Sequence, residues 1–108
     1  MLAEHGYVRS GDLYRVEKAN ADTVTCFCHL GLTDVLISHL FNVSPFVIWQ
    51  SFAQAPTSVT ELVSEERQEG TAFFRCLRFG DTTHLTMGNE KPSLSGRFCE
   101  RFSDDTRH

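Results

Sequence analysis

The sequence predicts an α+β domain: an antiparallel sheet built from N-terminal and C-terminal strands, with two or three short central helices. Three observations carry this expectation. β-forming residues flank short glycine-containing turns near the N-terminus and again around Gly80-Asp81. Apolar residues recur at helical spacing between Leu32 and Leu40. Of the 108 residues, 41% are hydrophobic, which is enough for one core. The expected division is a single domain over residues 1–102 and a frayed tail over 103–108.

The elements follow in order. Tyr7-Val8-Arg9 and Leu13-Tyr14-Arg15-Val16 flank Ser10-Gly11-Asp12 and read as a hairpin. After a connection over 18–22, Thr23 to Leu30 reads as a strand. Its faces are Val24, Cys26, Cys28 and Leu30 against Thr25, Phe27 and His29. Thr33 can cap a helix whose apolar stripe is Leu32, Val35, Leu36 and Leu40, with Asn42 at its C-terminal end. Ser44-Pro45 opens a second helix, although the β-rich run Phe46-Val47-Ile48-Trp49 leaves a strand open. Ser58-Val59-Thr60-Glu61 has capping-box spacing and starts a short helix to about Glu66. Thr71 to Phe79 is the clearest strand, with Thr82–Met87 as its hairpin partner and Arg97 to Phe102 as a last strand.

Charge is unevenly spread. No lysine or arginine lies between Lys18 and Arg67, while Asp22, Asp34, Glu61, Glu65 and Glu66 fall within that stretch. Net charge is −4, so a polyanionic partner is not favoured. No apolar run approaches the roughly 20 residues of a membrane span. Without a signal-peptide pattern at the start, a soluble cytoplasmic protein is expected, with Cys26, Cys28, Cys76 and Cys99 as thiols.

The motifs are few. Leu32-Thr33, the small Ser38, Asn42 at a turn, Val43-Ser44-Pro45 and Ile48 give Leu32–Phe52 a spacing that resembles a helix-turn-helix. A downstream hairpin would serve as the wing. That resemblance implies a winged-helix-like transcription regulator. Yet Pro45 to Phe52 offers only Gln50 and Ser51 as donors for bases and phosphates, leaving Arg75 and Arg78 of the wing as the nearby cations. Cys26, Cys28 and His29 are candidate zinc ligands, but one residue between the cysteines is short of the usual spacing. His5, His29, His39, His84 and His108 occur without a Gly-x-Ser-x-Gly, P-loop or dinucleotide motif.

The aromatic set Phe41, Phe46, Trp49 and Phe52 remains, more apolar surface than one helical stripe can bury. The expected function is a small acidic, non-enzymatic protein-binding module: an adaptor, an inhibitor or a homodimeric interaction domain. It would use that aromatic patch, with Asp34 and Glu61 adding charge complementarity to a basic surface. The winged-helix regulator is the alternative, and a small enzyme with a Cys/His site the third reading. The partner is another protein or a second copy; no cofactor, metal or membrane is expected.

Overall fold

A computed structural model describes residues 1–95, 97 and 101–103. It is an α+β fold: four antiparallel strands and three helices. In chain order these are β1 (Tyr7–Ser10), β2 (Leu13–Val16), α1 (Leu30–Phe41), α2 (Pro45–Ser51), β3 (Val59–Gln68), β4 (Thr71–Asp81) and α3 (Thr83–Met87). A turn of 3-10 helix at Ala3–His5 precedes them. The sheet order is β1-β2-β4-β3.

The first hairpin forms as the sequence predicts, with Ser10 opposite Leu13 and Gly11-Asp12 as the connection. Its base is held by Gly6, whose carbonyl accepts from the Glu17 amide at 2.8 Å. Gly6 lies at φ +91, where a β-carbon would run into the Lys18 carbonyl oxygen. Only glycine satisfies both constraints. Gly6→Ala will therefore lower stability by more than about 1 kcal/mol. An unchanged thermal midpoint would show that the N-terminal turn is not coupled to the fold.

β2 joins β4 through only two register pairs, Tyr14 with Ala72 and Arg15 with Thr71. Tyr14 and Ala72 are both buried there. Phe74 meets the Tyr14 ring edge-on at 5.1 Å. β4 pairs far more extensively with β3, from Gln68↔Thr71 to Val59↔Asp81. A register shift near the end of that ladder falls at Gly80, whose φ of +62 suits a bulge.

Four expectations are corrected. The expected helix over residues 58–66 is instead covered from Val59 by strand β3: the capping-box spacing is coincidental, and pairing with β4 across Glu69-Gly70 decides the conformation. Thr82–Met87 is not a strand but includes α3, started by Asp81, whose Oδ1 accepts from the Thr83 amide at 2.9 Å. Residues 23–29 have no ladder partner, and Leu30 already belongs to α1. Thr33 does not cap α1, since His29 holds the cap position; the Thr33 hydroxyl donates back to the His29 carbonyl at 3.0 Å. The expected strand Arg97–Phe102 and the tail lie mostly outside the described residues.

The core is small. Among the described residues only Tyr14, Ile37, Ile48 and Ala72 are buried apolar side chains. The radius of gyration is 16.6 Å, against about 13 Å for a compact chain of this length.

Candidate functional site

The helical hairpin forms for local reasons. Asn42 ends α1 at φ 55, left-handed backbone that Asn tolerates, and its amide bonds back to the His39 and Ser38 carbonyls. The Ser44 hydroxyl accepts from the Phe46 amide at 3.3 Å, and Pro45 occupies the first turn of α2. The strand alternative for Phe46–Trp49 is thereby closed.

Two clamps hold the hairpin to the sheet. The Arg9 guanidinium donates to the His39 carbonyl at 2.7 Å and to the Tyr14 hydroxyl at 3.1 Å. That places a cation on the negative end of α1. At the other end, the Phe52 ring packs tilted against Phe79, with centroids 5.1 Å apart and planes at 57°.

What α1 turns inward is unexpected. The buried residues are Asp34, Ile37 and Ser38, not the apolar stripe. Leu32 stays 54% and Val35 50% exposed. In α2 only Ile48 is buried; Phe46 is 73% and Trp49 52% exposed, and Phe52 is exposed as well. Phe41 is half-buried. The Trp49 ring reaches Gly31, 3.9 Å from where a β-carbon would stand, so the exposed residues of the two helices adjoin there.

The two acids behave differently from the surface charges expected of them. Asp34 is 0% exposed, neither carboxylate oxygen has a hydrogen-bond partner, and burial pushes its pKa up. Glu61 sits on β3, with Arg78 Nη2 at 2.7 Å and Nε at 2.9 Å from its Oε2. Arg78 also holds Asp81 at 2.9 Å. The Thr83 hydroxyl and amide, with help from Arg78, keep the Asp81 carboxyl below the ordinary carboxylate range. Arg75 pairs with Glu65 at 3.1 Å. Both wing arginines are thus engaged by acids of the same hairpin.

The remaining candidates do not converge. Cys26, Cys28 and His29 are exposed in the irregular segment before α1, and the Cys28 thiol lies 3.1 Å from the Thr33 hydroxyl. No group of three or more His, Cys, Asp or Glu side chains suited to a metal occurs among the described residues. Cys26, Cys28 and Cys76 are free thiols; Cys76 donates to the Arg78 carbonyl at 3.2 Å, and burial pushes its pKa up. An open hollow between β2 and β4 is lined by Leu13, Tyr14, Arg15, Val16, Gln68 and Thr71 among others, with no acid-base or nucleophilic pair. No described helix is long and apolar enough to cross a membrane.

Comparison with protein families, with curated proteins and with solved structures returns no match for this chain.

Proposed function

We propose that this chain is a non-enzymatic protein-binding module whose contact surface is the outer face of the α1–α2 hairpin. One observation carries the reading: α1 buries a carboxylate while leaving Leu32 and Val35 in solvent, beside the exposed Phe46, Trp49 and Phe52 of α2 and its flank. Helices normally bury their apolar stripe. A stripe left outward beside exposed aromatics is the composition of a protein contact site, where Trp is enriched among the residues that carry binding energy.

The charge complementarity first expected from Asp34 and Glu61 does not support the reading, because one is buried and the other is held by Arg78. The winged-helix alternative is weakened by the same pairing. Arg75 and Arg78 are engaged by Glu65 and Glu61, which leaves the exposed Arg67 of β3 as the hairpin's cation for phosphates.

Trp49→Ala tests the proposal. Half the ring is already in solvent, so the variant will stay folded by circular dichroism. Binding will weaken by about 2 kcal/mol or more, the loss typical of a contact hot spot. A folded variant whose association is unchanged would remove Trp49 from the site. An unfolded one would place it in the core.

A further inference from the structure

We infer that Cys26 and Cys28 form a redox-active dithiol, which exchanges with a small disulfide such as glutathione disulfide and closes into a reversible Cys26–Cys28 disulfide. The site is separate from the α1–α2 face and does not depend on how that face is used.

Reach comes first. Two residues apart, the two Cα atoms stand no more than about 7 Å from each other in any conformation, and a disulfide spans roughly 4.4–6.8 Å. In an extended chain both side chains also leave the backbone on the same side. Only a modest bend is then needed. Residues 23–29 can supply it, because they belong to no strand and have no ladder pairing to give up. A paired strand would resist the same bend through its cross-strand hydrogen bonds.

Access comes next. Both cysteines are exposed. Phe27 between them is 97% exposed, so no described part of the chain covers the segment. The Cys28 thiol lies 3.1 Å from Thr33 Oγ1. That hydroxyl gives its own proton to the His29 carbonyl at 3.0 Å, so the thiol donates to it. Once Cys28 is deprotonated, the Thr33 hydroxyl can turn and donate to the thiolate. Cys76 is the contrast. It is half-buried, donates to the Arg78 carbonyl, and burial pushes its pKa up. The thiolate is the attacking species, so Cys76 is the least reactive of the three described thiols. Zinc would need more ligands than the pair supplies. No group of three or more His, Cys, Asp or Glu side chains suited to a metal occurs among the described residues.

The exchange takes two steps. One thiolate attacks a sulfur of the small disulfide; a mixed disulfide forms, the old S–S bond breaks and one small thiol leaves. The neighbouring thiolate then attacks the protein sulfur of the mixed disulfide, and the second small thiol leaves. The protein loses two electrons, and its two thiol protons end on the two small thiols. The product ring encloses Phe27 alone. So short a ring holds the bond away from its preferred geometry, and strained, exposed disulfides are the readily reduced ones. The pair therefore opens and closes rather than stapling the fold.

Trypsin reads the site directly. It cuts after Lys18 and Arg67 and at no lysine or arginine between them, and the peptide 19–67 contains Cys26 and Cys28 but no other cysteine. The reduced full chain, treated with glutathione disulfide, blocked with an alkylating agent and digested, will give a 19–67 peptide two hydrogens lighter and with no added mass. Millimolar reduced glutathione will return both thiols, and Cys76 will be recovered free throughout. Cys26→Ser and Cys28→Ser will each stop at one bound glutathione, with circular dichroism unchanged because both side chains are exposed. A 19–67 peptide with both thiols free, with two bound glutathiones, or cross-linked to the peptide of Cys76 or Cys99 overturns the inference. So does a Cys26–Cys28 disulfide that reduced glutathione fails to open.

Discussion

Truncating Ile48 to alanine will unfold the helical hairpin and most of the chain with it. Ile48 is the only buried residue of α2, and it stands in a core that contains just Tyr14, Ile37 and Ala72 besides among the described residues. Large-to-small changes at such sites cost about 2–5 kcal/mol, and small domains have roughly 5–15 kcal/mol in all. In so thin a core the loss falls on the low end of the total. Urea unfolding followed by far-UV circular dichroism, at fixed protein concentration, will show a largely unfolded variant or a midpoint far below the parent's. Met87→Ala is the control: its side chain is 81% exposed on α3, and it will move stability by no more than about 0.5 kcal/mol. Equal effects from the two substitutions would mean that α2 is not packed through Ile48.

Asp34→Asn will stabilise the protein at neutral pH and do nothing comparable at pH 3. Burial without a hydrogen-bond partner raises the folded-state pKa of Asp34 above the ordinary carboxylate range. Its neutral form is the one the fold tolerates. The corresponding stability is present below the unfolded pKa and lost as pH rises through the folded one. At pH 7 the ionised carboxylate therefore opposes folding, and asparagine removes that charge at nearly the same volume. The gain will be on the order of 1 kcal/mol, since a buried polar amide remains unpartnered. Asp81 works with the opposite sign: its pKa is lowered, so its contribution is present at neutral pH and lost in acid. Stability profiles of Asp34→Asn and the parent between pH 3 and 7 will converge at the acid end. A loss of stability at pH 7 would show instead that the Asp34 charge has a partner.

These residues also mark where the sequence was legible. Hairpin β1–β2, helix α1 with its Asn42 end and strand β4 were readable, because each is set by local signals, whereas for α2 the Ser44-Pro45 start was readable but the β-rich run Phe46–Trp49 left a strand open. β3 was misread because Ser58-x-x-Glu61 mimics a cap, although Glu69-Gly70 ahead of a clear strand was the hairpin signal that could have corrected it. Residues 23–29 have strand composition but no partner, and composition cannot report a missing partner. For the candidate site, the aromatic exposure of α2 followed from too many apolar residues on one short helix. The inward turn of Asp34 did not follow, since periodicity assigns the apolar stripe to the interior. It is set by how Arg9 and Phe52 seat the two helices on the sheet, which only the fold reveals.

The two-pair seam between β2 and β4 bears on how the chain is made. Tyr14 emerges early, yet its partner Ala72 follows roughly 60 residues later. At about 5–20 residues per second of synthesis, the wait is several seconds. Throughout that interval the nascent N-terminal hairpin has no sheet to join, and its tyrosine stays open to chaperones and to neighbouring chains. The β3–β4 hairpin, by contrast, closes almost as soon as it leaves the ribosome, so joining the sheet means docking an earlier-made hairpin onto a later-made one.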